Sequence, residues 1–225
     1  MNSPGLFERW HETFLALKEI PFCRHAFINR VPGLDVNVER ESALERLESP
    51  HARIRQKLGF ASPVTAEQVH GNKIAIVDET TAWPVAGVDG LITNRPGVCL
   101  GIYVADCCAV YLLDPRKRCI GLVHSGKKGT ELGIVPAAME SMRAHFGSEP
   151  ADLVVQISPC IRPPFYEVDF AAEIAAQCRE VGVGRIHDCG TCTAADLKRY
   201  YSYRAEQGKT GRMLALFSLN GVMLS

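Results

Sequence analysis

No apolar run in the 225 residues approaches the ~20 that a membrane-spanning helix requires, so a membrane partner is not expected. Charge of either sign is not in excess: 25 Lys and Arg stand against 25 Asp and Glu. A nucleic-acid binder normally carries a basic surplus, so nucleic acid is not an expected partner either. The 19 Gly and 13 Pro are scattered without period, which excludes collagen-like and repeat architectures. Met1 to Trp10 lacks a basic stretch followed by an apolar one, so no secretory signal is read. Seven His with no H-x-H pair cannot supply the roughly ten ligands of a blue multicopper oxidase. No linker or low-complexity tract divides the chain, and its length suits a single domain spanning 1–225.

Cysteine, by contrast, is abundant. Nine are present, an odd number, and the neighbours Cys107 and Cys108 are poorly placed to bond to each other. This usage points to a reducing cytoplasm, with thiols that are buried, metal-bound or reactive. Leu6, Trp10, Phe14 and Leu17 predict a first amphipathic helix, and His25 to Arg30 a strand. Glu41 to Leu58 reads as helical, with Pro50 as a candidate break. From Val64 to His124 come six strand-like runs separated by Gly-Asn, Pro-Gly and Asp-Pro turns. Several are continuously apolar, as in strands covered on both faces. Helices over Thr130 to Phe146, Phe170 to Glu180 and Ala194 to Tyr201 follow, with strands at Leu153 to Ser158 and Met213 to Leu219. The class is mixed α/β, or α+β, with a strand-rich middle and helices outside.

Three strand ends carry metal-ligand chemistry: His70, Cys107 and His124. Such positions hold a group rigidly and expose it through a loop. Two imidazoles and a thiolate are three zinc ligands with a fourth position open, the arrangement of catalytic zinc. Their separations, 37 and 17 residues, form no short ligand motif. On spacing alone, a buried thiol with two satisfied histidines fits as well. The segment His124 to Thr130, H-S-G-K-K-G-T, follows a strand and opens a helix, a setting that suits phosphate or another anion. Its alternative is a solvated basic turn. Cys189-Gly190-Thr191-Cys192 has C-x-x-C spacing, but it lies late in the chain and is read as non-catalytic. Glu67, Asp89, Asp106, Glu167 and Asp169 are the carboxylates nearest the strand ends.

Taken in order, Gln68-Val69-His70-Gly71, Asp89-Gly90-Leu91-Ile92-Thr93, Ala105-Asp106-Cys107 and His124 to Thr130 resemble the blocks of the YfiH-like, laccase-domain family. That family was first labelled polyphenol oxidase and later recognised as purine nucleoside phosphorylase. Ile157 to Ile161, Tyr166-Glu167-Val168, Cys192-Thr193, Ser202-Tyr203-Arg204 and Thr210-Gly211-Arg212 continue the likeness, from about His25 to Leu219. The resemblance implies central β-sheets flanked by helices in four αββα layers. It implies zinc on His70, Cys107 and His124, the same residues serving catalysis. It also implies phosphorolysis of purine nucleosides, with adenosine deamination as a second reaction. Purine nucleoside and phosphate are then the partners, and Arg30, Lys127 and Lys128 the expected phosphate ligands.

The chain also departs from the family pattern. H-A-G-W-R-G is H-S-G-K-K-G here, so Lys127 and Lys128 replace Trp and Arg. Lys keeps the charge but loses the planar fork that matches phosphate. A Gly-Gly-x-Ser loop is replaced by Val31 to Asp35, and the stretch from Val168 to Cys192 is short of one helical segment. Three other classes stay open: a non-catalytic zinc-binding relative, a copper-dependent phenol oxidase, and a cysteine hydrolase built on Cys107.

Overall fold

The computed structural model describes residues 10–220. Its elements in chain order are β1 (His11–Glu12), α1 (Leu15–Lys18), β2 (Cys23–Ile28), α2 (Arg40–Lys57), β3 (Pro63–Thr65), β4 (Ile74–Ile76), β5 (Gly90–Thr93), β6 (Cys99–Val104), β7 (Cys108–Asp114), β8 (Cys119–Ser125), α3 (Lys127–Glu131), α4 (Ile134–Phe146), β9 (Val154–Ile157), α5 (Phe170–Glu180), β10 (Arg185–Asp188) and β11 (Met213–Leu219). They form a five-stranded sheet, β1-β2-β11-β6-β3, and a six-stranded sheet, β10-β9-β7-β8-β5-β4.

Side chains on a strand point alternately to opposite faces, and here both faces are apolar. Ala109, Tyr111 and Leu113 of β7 meet Phe27 of β2 and Ala215 and Phe217 of β11 between the sheets. Cys108, Val110 and Leu112 of the same strand face Met139 and Met142 of α4 and Ile174 of α5. On the far side, Ala26, Ile28, Leu214 and Leu216 pack on Ile54 of α2. Three apolar layers thus separate four structural ones, the expected αββα order. Tyr111 spans the sheets, and its hydroxyl donates to the Ala26 carbonyl at 3.0 Å, so the polar end is satisfied in the core.

Several boundaries differ from the sequence reading. The first helix shrinks to Leu15–Lys18, because His11–Glu12 pairs with the edge of β2 instead; Leu6 lies outside the described residues. Pro50 does not break α2. That helix is held along its length by the buried face of Ala43, Leu47, His51 and Ile54. The helix over Thr130 to Phe146 is two helices, separated where Gly133 takes φ +67°, a left-handed turn that glycine adopts at no steric cost. Ala194 to Tyr201 is not a helix beyond one 3₁₀ turn at Thr193–Ala195. The flanking Thr193 and Ser202 side chains bond to Asp106 instead. The strand β10 was not foreseen, since R-I-H-D is largely exposed and shows no apolar pattern.

Two buried histidines shape the response to acid. The Nε2 of His25 accepts the Phe14 N–H at 2.7 Å, which requires a neutral ring. Neither ring nitrogen of His51 has a partner, and the ring stacks on Tyr103 at 6.0 Å. Burial pulls both down to about 4, with Lys18 a second cause at His25. A folded-state pKa below the ordinary value of 6.5 means that the unfolded chain takes up protons first. The stability these groups contribute is present above pH 6.5 and is lost as pH falls towards about 4. The melting temperature should therefore drop across that window, and His51→Leu should flatten part of the drop. An unchanged slope in the variant would contradict this account of His51.

Candidate metal centre and cavity

The chain passes from the five-stranded to the six-stranded sheet at β3–β4 and again at β6–β7. The first crossing carries His70 and the second carries Cys107. His124 lies near the end of β8, directly opposite Ala109 of β7, so it meets Cys107 at the same sheet end. The ligand atoms of His70, Cys107 and His124 all lie within 4.8 Å of one another. Their rings and thiol run from buried His124 through half-buried Cys107 to exposed His70, so the group is anchored on one side and open on the other.

Asp89, with 0% exposure, sets this arrangement. Its carboxylate accepts the backbone N–H groups of Val69 at 3.1 Å, His70 at 2.9 Å and Gly71 at 2.8 Å. It also accepts His124 Nδ1–H at 2.8 Å. A carboxylate can only accept, so the proton sits on Nδ1 and Nε2 is left free to ligate. Burial alone would raise the Asp89 pKa, but the His124 and backbone bonds outweigh it and hold the group ionised. Burial likewise disfavours charge on Cys107 and His124. The attraction between them prevails, lowering the thiol and raising the imidazole, with Asp89 reinforcing the latter. A thiol pulled towards thiolate is the form that binds metals.

The loops are strained where they carry these groups. Gln68, His70 and Asp106 take φ values of +66°, +59° and +81°, unusual for residues with a side chain. Each is over-determined. The Gln68 amide bonds both backbone groups of Tyr103, donating to the carbonyl at 2.6 Å and accepting the N–H at 2.9 Å. Asp106 accepts the hydroxyls of Thr193 at 2.7 Å and Ser202 at 3.1 Å and the Arg204 N–H at 2.7 Å. Gly126 matters by its lack of a side chain: a Cβ there would meet Cys107 Sγ at 2.5 Å.

The donor set fits a metal. Two imidazoles and a thiolate, one imidazole backed by a buried carboxylate, suit zinc or copper rather than calcium or magnesium. A cavity of about 860 Å³ opens on the three ligands. Lys127 lines it, whereas Lys128 and Arg30 are not among its lining residues. Arg30 is bound at 2.6 Å to Glu206 and lies over the Tyr201 ring at 4.3 Å. The other carboxylates are occupied in structural roles. Glu67 accepts the Gly87 N–H, Asp169 caps α5 at Ala172, and Glu167 pairs with Arg204 at 3.3 Å. Cys189 and Cys192 are free thiols outside the cavity lining, and burial raises the Cys189 thiol to about 11. Sequence reading missed Arg40, Lys209 and Tyr103 of the lining, which sit in no motif. It quoted Arg204 and Arg212 only as pieces of motifs.

Outer-shell partners of metal-bound histidines typically control affinity by ~10- to 100-fold. Asp89→Asn should therefore weaken metal binding by about that range while the fold persists. Gly126→Ala should do so by displacing the Cys107 sulfur. Metal titration against a chelator of known affinity reads both, and wild-type affinity in Asp89→Asn would contradict the role given to this carboxylate.

Comparison with known proteins agrees with the geometry. The family described as multi-copper polyphenol oxidoreductase laccase matches residues 28–173 and 168–220. The two matched pieces overlap at residues 168–173. A purine nucleoside phosphorylase of Deinococcus radiodurans is 32% identical over 233 aligned residues, covering 87% of this chain and 88% of that one. The crystal structure of YlmD from Geobacillus stearothermophilus superposes with a TM-score of 0.77 at 25% identity, covering 90% and 93% of the two chains. The Bacillus licheniformis hypothetical protein YfiH gives 0.78 at 22%, covering 88% and 93%. With the sheet order, the metal-ligand group and these likenesses together, the chain belongs to the YfiH-like, laccase-domain family.

Proposed function

We propose that the protein is a zinc-dependent purine nucleoside phosphorylase of the cytoplasm. The observation that carries the reading is one cavity joining the His70, Cys107 and His124 group to aromatic and basic walls. Tyr103, Tyr166, Phe170 and Tyr203 offer apolar faces to a purine. Lys127 is the phosphate candidate of the basic loop that reaches the lining, with Lys128 and Arg30 outside it. About 860 Å³ is ample for a nucleoside and phosphate together.

In phosphorolysis a phosphate oxygen bonds to C1′ of the pentose as the glycosidic C–N bond breaks. The bonding pair leaves with the purine, which takes up a proton. The protein's share is to align the two substrates and to stabilise the charge that develops between them. Zinc, when bound, supplies a Lewis acid and lowers the pKa of a coordinated water towards ~7, the property that adenosine deamination would use. Among the described residues there is one ligand group, His70, Cys107 and His124. That favours a single zinc over the several coppers of a multicopper phenol oxidase.

Metal-analysed protein incubated with adenosine, inosine and guanosine should release free base and pentose 1-phosphate only when phosphate is present. Any conversion of adenosine to inosine should continue without phosphate. Cys107→Ala should lose its zinc and both activities. Base release independent of phosphate, or unchanged zinc content in Cys107→Ala, would contradict the proposal.

A further inference from the structure

Among the described residues, two arginines lining the cavity have no carboxylate in ion-pair contact. Arg212 is 8% exposed. Its Nη1 donates to the carbonyls of Thr210 at 2.7 Å and Gly211 at 2.9 Å, so its own backbone holds the head in place. Arg40, at the first turn of α2, lines the same cavity and donates to the Glu67 carbonyl at 3.1 Å. Among the described residues neither guanidinium forms an ion pair with a carboxylate. Glu39 and Glu41 are exposed at the cavity rim.

The balance of charge around Arg212 is adverse. Burial and then the neighbouring Arg40 disfavour its protonated form, while Cys107, Tyr203 and Asp106 favour it. Asp106 does not serve as a counter-ion in contact, since its two oxygens already accept from Thr193, Ser202 and Arg204. Buried charges are ordinarily paired, because desolvation costs more than solvent-side attraction returns. Two guanidiniums that line one cavity and act on each other's charge, without a paired carboxylate, have the electrostatics of a site completed by an anion. The end of α2 adds to the field. That 18-residue helix begins beside the cavity with no side-chain cap on its free N–H groups.

We propose that Arg212 and Arg40 form the oxyanion subsite of the cavity and hold inorganic phosphate, an assignment that rests on the phosphorylase reading for the identity of the anion. The paired forks give a tetrahedral oxyanion the bidentate contacts that Lys127 and Lys128 cannot. In this chain the directional phosphate recognition that the lysine loop does not give is supplied from positions 40 and 212, towards the two ends of the sequence. Arg30 takes no part, its charge being matched by Glu206.

The test is calorimetric titration of the zinc-loaded protein with inorganic phosphate and, separately, with adenosine 5′-monophosphate. Arg212→Gln and Arg40→Gln should each weaken phosphate binding by about 10-fold or more, the loss expected for hydrogen bonds to a charged group. Zinc content should stay the same in both, and Lys117→Ala, a surface charge far from the cavity, should stay within about twofold of the parent. Arg40→Gln, at a partly exposed helix start, keeps the test open if Arg212→Gln does not fold. Unchanged phosphate affinity in the arginine variants, or no phosphate binding by the parent, overturns the subsite. Tighter binding of the nucleotide than of phosphate overturns inorganic phosphate as the occupant. Arginine-dependent phosphate binding without nucleoside cleavage upholds the subsite and removes the phosphorylase reading. Phosphate-dependent cleavage with an unchanged half-saturating phosphate concentration in Arg40→Gln does the reverse.

Discussion

The structure depends on the four donors that converge on Asp89. A carboxylate with no exposure is costly to bury, and it stays ionised only because three consecutive backbone N–H groups and His124 satisfy it. Those bonds do two jobs. They close the loop around His70 in a left-handed conformation that its side chain would otherwise disfavour. They also set the tautomer of His124, so that the free nitrogen points at Cys107. Two of the three ligands are thus placed by one buried group, and the third approaches because Gly126 leaves room for its sulfur.

A second carboxylate organises the β6–β7 crossing. Asp106 draws the chain's late segments, through Thr193, Ser202 and Arg204, onto the loop that carries Cys107. The four-layer packing brings both crossings to one sheet end, and the cavity is the space left between them. The cavity is lined by the ligand group, by the guanidiniums of Arg40, Arg204 and Arg212, and by the aromatic rings of Tyr103, Tyr166, Phe170 and Tyr203.

Much of the fold was legible because fully apolar strands announce themselves. Met213–Leu219 and Phe170–Glu180 have the limits that the sequence suggested, and the αββα layering followed from the resemblance. The ligand trio was legible as residue types at strand ends, though only the resemblance joined them across 37 and 17 residues. What stayed hidden was set by tertiary contacts. The split at Gly133 and the missing helix after Ala195 are decided by a backbone conformation and by bonds to Asp106, neither of which leaves a periodic trace. Asp89 and Asp106 were visible only as nearby acids, since a carboxylate that organises backbone and one that transfers protons look alike in sequence. Arg40 was invisible for the same reason as most surface arginines: its isolation from acidic partners is a property of three dimensions.

The two imidazoles and one thiol gathered where the sheets meet form a ligand group for a single metal ion. X-ray absorption at the zinc edge of the purified protein tests it most directly. One sulfur at ~2.3 Å and two imidazole nitrogens at ~2.0–2.1 Å are expected, with the remaining position filled by a light atom. A zinc shell without sulfur, or an absorption edge from a different metal, would contradict it.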